Sequence, residues 1–108
     1  MTTKKARLMA NLTIVYWRDI PAQVIAKERR TTAKRVLSER FEKAIDRAAM
    51  RSGARDTDAY LAAWRRGEPS PCGDDLEAEA DSVAARIEAE FDDDRLAALV
   101  ASGGSENE

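Results

Sequence analysis

The stretch of sequence that decides the fold runs from Ala10 to Lys27 and reads ANLTIVYWRDIPAQVIAK. Leu12 to Trp17 is rich in β-branched and aromatic residues and predicts a strand. Hydrophobic and polar residues do not alternate cleanly along it, which indicates that other parts of the protein cover both faces of this strand. Asp19-Ile20-Pro21 predicts a turn, since proline cannot donate a ladder hydrogen bond. A second strand is predicted from Ala22 to about Lys27. Together these segments predict an antiparallel β-hairpin.

The strongest helical pattern in the chain follows this hairpin. Apolar residues recur every three or four positions between Val36 and Ala49, and charged residues fill the positions between them. Thr31 or Thr32 is the expected N-cap, and Gly53 is the expected stop at the other end. We therefore expect a basic helix over residues 32–52.

Residues 56–66 are compatible with two structures. Thr57 can cap a short helix that places Tyr60 and Trp64 on one side, whereas Tyr60, Ala62 and Trp64 also alternate as a third strand would. The dominance of Ala and Leu favours the helix. An isolated hairpin is marginally stable, however, and would gain from a third strand. We prefer the helix and keep the strand as the alternative.

The acidic second half predicts a loop and two further helices. Gly67 to Gly73 contains two prolines and predicts a loop. Asp74 or Asp75 is expected to cap a second long helix that reaches Phe91. The run Asp92-Asp93-Asp94 is expected to interrupt that helix and begin a shorter one, since carboxylates favour a helix N-terminus.

These elements predict a single α+β domain over residues 9–101. It comprises an N-terminal β-hairpin, with a third strand as the alternative, packed on two longer helices and followed by a helical acidic C-terminus. Residues 1–8 are expected to be a basic tail, with Met9 as an alternative start, and residues 102–108 a disordered acidic tail. No apolar run is long enough for a signal peptide or a membrane helix. We therefore expect a cytoplasmic protein with Cys72 reduced.

The net charge of −2 conceals an uneven distribution. Residues 1–55 carry a net charge of +9 and residues 56–108 a net charge of −11. This pattern is typical either of nucleic-acid contact through the basic first helix or of internal pairing, in which the acidic helix over 74–94 neutralises the basic one. We favour internal pairing, because aromatic residues are not spread through the basic stretch as stacking on a single strand requires.

Catalysis finds little support in the sequence. The chain has no His and one Cys, which excludes His-based catalysis, zinc sites and intrachain disulfides. Cys72 precedes a helix start, but Asp74 and Asp75 disfavour its thiolate and no base accompanies it. The run Asp92-Asp93-Asp94 lacks the spacing and the glycine of a calcium loop. We predict no catalytic residue, no metal and no cofactor.

Two Trp-Arg segments are the candidates for a binding site. The first places an aromatic ring, a guanidinium and a carboxylate beside a turn, and the second has adjacent guanidiniums that can clamp a carboxylate or a phosphate. Both also have a structural interpretation, with Trp17 in the core, Arg18 paired with Asp19, and Arg65 and Arg66 bound to the acidic segment. The predicted binding residues are Trp17, Arg18, Asp19, Trp64, Arg65 and Arg66.

Three segments of the chain resemble a small bacterial domain family named virulence factor, common in α-proteobacteria. They are Ala10–Val24, Phe41–Met50 and Asp58–Arg66, and the resemblance extends over about residues 9–100. It implies no biochemical activity, cofactor or catalytic residue. Members of the family accompany genes of folate- and cobalamin-dependent methyl transfer, which implies an accessory subunit. The characteristic segments include Trp17, Arg18, Asp19, Pro21, Trp64 and Arg65.

The sequence therefore predicts a non-enzymatic cytoplasmic protein that acts as an interaction or accessory subunit and docks on another protein. One alternative is an accessory component of folate- or cobalamin-dependent methyl transfer. Another is a weak nucleic-acid-binding protein that uses the basic first helix. We expect no membrane partner, and we expect nucleic acid to be a less favoured partner than protein.

Overall fold

A computed structural model describes residues 10–105, which form an antiparallel sheet with helices packed on it. The order across the sheet is β3-β2-β1-β4, and β5 also pairs with β1. The predicted α+β class is confirmed. The strands are β1 (Asn11–Trp17), β2 (Ile20–Glu28), β3 (Thr31–Val36), β4 (Trp64–Arg66) and β5 (Ser70–Pro71), and the helices are α1 (Glu39–Ser52), α2 (Asp58–Ala62), α3 (Leu76–Glu90) and α4 (Asp93–Ala101).

The predicted hairpin is confirmed, but its turn lies earlier than expected. Only Arg18 and Asp19 separate β1 from β2, and Arg18 adopts a φ of 55°, the left-handed conformation typical of two-residue hairpin turns. The turn predicted at Asp19-Ile20-Pro21 is therefore wrong at its last two residues. Pro21 lies within β2 opposite Tyr16, beside a register shift in the pairing. A bulge accommodates a proline because it leaves a backbone position without a ladder partner.

The predicted basic helix over 32–52 is wrong at its start. Thr31–Val36 forms β3, which pairs along its whole length with β2, and α1 begins at Glu39 after the N-cap Ser38. β-branched residues favour a strand, and pairing with β2 satisfies backbone groups that a helix start would leave open. The expected stop is confirmed at Gly53, whose φ is 76°.

Residues 56–66 contain both of the structures that the sequence left open. α2 follows the N-cap Thr57, and β4 begins two residues after α2 ends. β4 pairs with β1, so that Trp64 lies opposite Trp17. Local propensity favours the helix, whereas the strand depends on an edge of the sheet supplied by a distant segment.

The two C-terminal helices begin as predicted. The carboxylate of Asp75 accepts a hydrogen bond from the Ala78 N–H at the start of α3, and that of Asp92 accepts one from the Arg95 N–H at the start of α4. The acidic run therefore does interrupt the long helix. The preceding segment is not entirely loop, because Ser70 and Pro71 form β5.

The core lies between one face of the sheet and the helices. α3 packs on β2 and β3, while α1 packs on β2 and on α4. Sheet residues that are fully or almost fully buried in this core include Leu12, Val24, Ala26 and Ala33, and the helices contribute Phe41, Ala44, Ile45, Ala48, Ala49, Leu76, Ala80, Val83, Ile87, Leu96 and Leu99.

Ion pairs connect the basic half of the chain with the acidic half. Arg35 on β3 donates hydrogen bonds to Asp81 and Glu77 of α3, and these bonds raise the pKa of its guanidinium. Arg40 on α1 forms ion pairs with the carboxylates of Glu88 at 3.2 Å and Asp93 at 3.3 Å, and it also donates to the carbonyl oxygens of Glu88 and Phe91, each at 2.7 Å. The internal pairing that we favoured from the sequence is present at these two arginines, but one of them lies on a strand rather than on the first helix.

A carboxylate from α3 holds the start of α1. The Ser38 N–H donates to Oε2 of Glu88 at 2.7 Å, and the Ser38 hydroxyl donates to Oε1 at 2.8 Å. Burial disfavours the charged form of Glu88, but the hydrogen bonds from Ser38 and the guanidinium of Arg40 outweigh it and lower the pKa. The negative charge also complements the dipole of α1.

The contribution of Glu88 to stability should depend on pH. Because its pKa is lower in the folded state, this contribution is present above the unfolded pKa of about 4.3 and is lost as the pH falls through the folded value. Glu88→Gln should lower the free energy of unfolding at pH 7 by about 1 kcal/mol. Urea titrations of wild type and variant should therefore differ at neutral pH and converge as the pH falls through the lowered pKa of Glu88 in the folded protein. Glu90→Gln is the control, and a difference for Glu88→Gln that is constant from neutral to acid pH would contradict the prediction.

Adjacent cations on β3 should differ in their effect on stability. Arg35→Gln removes the bonds to Glu77 and Asp81, whereas Lys34 makes no ion pair with a carboxylate of residues 10–105. Arg35→Gln should therefore lower the free energy of unfolding more than Lys34→Gln does. The difference between the two losses in free energy of unfolding should become smaller at about 1 M NaCl, because the screening length falls to about 3 Å. Equal effects of the two substitutions in urea unfolding would show that the pairing does not stabilise the fold.

Candidate functional site

The tip of the β1–β2 hairpin is held by residues near the end of the chain. The Asp19 N–H donates to the Gly104 carbonyl at 2.9 Å, and Nη1 of Arg18 donates to the Gly103 carbonyl at 2.9 Å. Gly103 and Gly104 are buried. The disorder expected from Ser102 onward therefore does not extend to residues 102–105. Residues 106–108, the predicted basic tail and Met9 lie outside the described residues.

Trp17 belongs to the core beneath this tip. Its side chain is fully buried, and its Nε1 donates to the Tyr60 carbonyl at 3.0 Å. Gly104 packs so closely on the indole that a Cβ at that position would lie 2.9 Å from Cζ3 of Trp17. A partner could not reach this ring in the folded protein. The structural interpretation, with Trp17 in the core, therefore accounts for this residue. Its role as a binding contact stays a prediction, which this burial does not favour.

Arg65 completes the arrangement from β4. Its Nε donates to the Arg18 carbonyl at 2.8 Å, its Nη2 donates to Oδ1 of Asp19 at 3.0 Å, and its guanidinium lies 4.5 Å from the centroid of the Tyr16 ring. Asp19 is therefore paired with Arg65, and Arg18 lies over the Trp17 ring at 4.9 Å. These polar groups bind one another. We call Trp17, Arg18, Asp19, Arg65, Gly103 and Gly104 the hairpin latch.

The hairpin latch should contribute measurably to stability. Gly104→Ala places a Cβ against Trp17 at a φ of +101°, and it should lower the free energy of unfolding by about 3 kcal/mol. Gly53→Ala is the matched control, because its φ is +76° and no atom lies within 4 Å of the added Cβ. That variant should lose only about 1 kcal/mol. Urea denaturation measures both, and similar losses would mean that Gly104 does not dock on Trp17.

The face of the sheet away from α3 forms a second surface. Successive residues on a strand point to opposite faces, and directly paired residues share a face. Val24, Ala33 and Arg35 face α3, so their neighbours on β2 and β3 face the other way. We call this surface the open sheet face. It comprises Asn11, Thr13, Val15, Gln23, Ile25, Lys27, Thr32, Lys34, Val36, Trp64 and Arg66. Trp17 lies on the same side of β1 but is buried there.

The open sheet face is accessible to solvent and partly apolar. Val36 is 75% exposed, while Val15 and Ile25 are half-buried beside neighbouring strands. A shallow cavity of about 270 Å³ lies on this face, and Ile25, Lys27 and Arg66 contribute to its lining. Two of these three residues are cations, so basic groups border the aliphatic side chain.

A larger groove adjoins the open sheet face where it approaches α1. Its volume is about 770 Å³, and Val36 lines it together with Ile45 from α1 and with Tyr60 and Trp64. The α1 carboxylates Glu39, Glu42 and Asp46 and the α1 cations Lys43 and Arg47 also line it. Trp64 is 37% exposed, and its ring meets Tyr60 edge-on at 6.2 Å. Of the six residues predicted for binding, Trp64 and Arg66 are therefore the two that reach this surface.

The cations of the open sheet face are not neutralised by the described part of the protein. Lys27, Lys34 and Arg66 are exposed, and none of them makes an ion pair within residues 10–105. The face itself contains no Asp or Glu. The open sheet face therefore combines aliphatic side chains with three cations that pair with no carboxylate of residues 10–105, and carboxylates of α1 border it at the Val36 end.

The carboxylates and the thiol of residues 10–105 do not gather into a metal site, since no three of them come together in a way that could hold a metal ion. Burial, followed by the charges of Glu79 and Glu28, raises the pKa of the half-buried Cys72 thiol. The thiolate that a nucleophile needs is therefore disfavoured. None of the helices in this part of the chain combines the length and apolar character needed to cross a membrane.

Most of the open sheet face lies within a stretch of sequence that matches a known protein family. A family model described as "Virulence factor" matches residues 15–100. The chain belongs to the virulence factor family. In this family member the matched span runs from within β1 into α4 and includes most of the open sheet face, whereas Gly103 and Gly104 follow it. A search of curated proteins and a search of solved structures find no match.

Sequence reasoning missed most of the open sheet face. The sequence pattern places Lys34 and Val36 on the first helix, where they would lie on different sides, whereas in β3 they share a face with Thr32. The pair Thr31-Thr32 is the local feature that favours a strand here. The alternation of Lys34 and Arg35 between faces becomes visible only once that strand is recognised.

Proposed function

We propose that the protein is a non-enzymatic interaction subunit that docks on another protein through the open sheet face. The observation that carries the proposal is an uncovered sheet face that presents aliphatic side chains among polar and basic ones. The solvated face of an antiparallel sheet is normally polar, whereas this one presents Val15, Ile25 and Val36. Contiguous apolar groups with a polar border are typical of surfaces that bind other macromolecules.

The chemistry of this surface supports binding rather than turnover. General acid–base or nucleophilic catalysis needs a nucleophile, a base or a pair of titratable groups in contact. The open sheet face instead presents isolated cations, aliphatic groups and neutral polar groups such as Gln23. This combination favours a non-enzymatic role for the protein.

The partner protein is unidentified. One candidate is an enzyme of folate- or cobalamin-dependent methyl transfer, of which this protein would be an accessory component. The nucleic-acid alternative depended on a basic first helix, and α1 gives it less support than the sequence did. On α1 the acidic residues Glu39, Glu42 and Asp46 are interspersed with the cations, and Lys43 lies 3.9 Å from Glu39. Lys34 and Arg35, which were expected on this helix, lie on β3.

Capture of a partner should depend on the apolar part of the open sheet face. Val36→Asp replaces a 75% exposed side chain at the end of the edge strand β3, within the proposed contact, and it should abolish capture or weaken it at least about tenfold. Native pull-down with quantitative mass spectrometry compares the variant with wild type. Met50→Asp is the matched control, since Met50 is 55% exposed and lies on α1 outside the open sheet face. Equal capture by all three proteins would contradict the proposal.

A further inference from the structure

We propose that the partner segment bound by the open sheet face is an acidic amphipathic helix, with an apolar stripe bordered by Asp or Glu. This inference rests on the proposed function and specifies the chemistry of the partner. It follows from the way the sheet separates its charges, from the shape of the uncovered surface and from the exclusion of other occupants.

The charge separation is clearest on β3, where adjacent cations point to opposite faces. Arg35 points toward α3 and is bound by Glu77 and Asp81. Lys34 points to the open sheet face, as do Lys27 and Arg66, and no carboxylate of the described residues pairs with them. The acidic half of the chain therefore neutralises one face of the sheet and leaves the other positive. Carboxylates from a partner would supply the missing complement.

The shape of the face matches a helix. Neighbouring strands lie about 4.8 Å apart, so that β1, β2 and β3 together present a surface about as wide as a helix with its side chains. Thr13, Ile25 and Lys34 lie directly across from one another, as do Val15, Gln23 and Val36. A helix laid on these rows would bury Val15, Ile25 and Val36 and bring its flanking carboxylates to Lys27, Lys34 and Arg66. It would give the sheet a helical layer on both faces, a common architecture.

Segments of this chain outside the described part do not match the face. Residues 1–9 carry Lys4, Lys5 and Arg7 and no carboxylate, so their charge has the same sign as the surface. Residues 106–108 carry two carboxylates but no apolar side chain that could lie on Val15, Ile25 or Val36. We therefore assign the occupant to another molecule.

Two other occupants are disfavoured by the same surface. In a two-fold dimer that paired this face with itself, Lys27, Lys34 and Arg66 would meet identical cations. A single-stranded nucleic acid would need aromatic platforms for its bases, and the central strands β1 and β2 present Thr13, Val15, Gln23 and Ile25 here instead. Trp64 lies at the margin with its ring packed against Tyr60.

The test uses the full chain and a designed probe. The probe is a fluorescently labelled amphipathic helical peptide of about 18 residues, with a Leu stripe bordered by Glu, and its length matches the roughly 27 Å that such a helix spans. Matched probes are the same peptide with Lys in place of Glu and a poly-dT oligonucleotide of similar length. Anisotropy titrations are run at about 50 mM salt with wild type, K27Q/K34Q and R51Q/R86Q, the last of which removes two exposed cations from α1 and α3.

The expected result is saturable binding of the Glu peptide that weakens as salt is raised. K27Q/K34Q should weaken it by about fivefold or more, R51Q/R86Q by less than about twofold. In ¹⁵N-labelled protein, the amide shifts should concentrate at Thr13, Ile25 and Lys34. No saturable binding up to about 1 mM peptide, equal effects of the two double variants, or preferential binding of the oligonucleotide or the Lys peptide would overturn the inference.

Failure of this inference is distinguishable from failure of the proposed function. If the Glu peptide does not bind but Val36→Asp still abolishes capture of a native partner, the face docks a protein of different chemistry. If the Glu peptide does not bind and Val36→Asp does not reduce capture of a native partner, both proposals are wrong.

Discussion

The packing of α3 against β2 and β3 is the constraint on which the rest of the structure depends. It buries Val24, Ala26 and Ala33 and brings carboxylates of α3 to Arg35 on the same face of the sheet. Because side chains alternate along a strand, the same contact leaves Lys34 and Val36 on the opposite face. Core formation and the exposure of a basic, partly apolar surface are therefore two consequences of one packing arrangement.

A second contact fixes the other end of the sheet. The hairpin latch joins the β1–β2 turn, β4 and the last residues of the described chain through hydrogen bonds to backbone carbonyls, with Trp17 buried beneath them. Its polar groups are occupied by one another, so the unusual Trp-Arg segments are explained mainly by folding. The surface available to a partner is the one that the latch and α3 leave uncovered.

The sequence correctly predicted the elements that form through nearby residues. It did not correctly predict the strands that form only by pairing with distant segments. The hairpin, the stop at Gly53 and the capping of α3 and α4 all follow from nearby residues. β3 and β4 could not be predicted with the same security, since each is a strand only because β2 or β1 supplies an edge. The candidate site was affected in the same way. The sequence identified Trp64 and Arg66 as candidate binding residues. It placed Lys34 and Val36 on the first helix, which in the structure begins only after them.

The central claim is that the open sheet face carries cations that pair with no carboxylate of residues 10–105, while the face under α3 is neutralised. Solvent paramagnetic relaxation measured by NMR with a cationic and an anionic probe of equal size reports the electrostatic potential near individual protons. The account predicts stronger relaxation by the anionic probe at Thr13, Ile25 and Lys34, and no such excess over the exposed side of α3. Equal relaxation by the two probes at the sheet residues, or stronger relaxation by the cationic one, would contradict it.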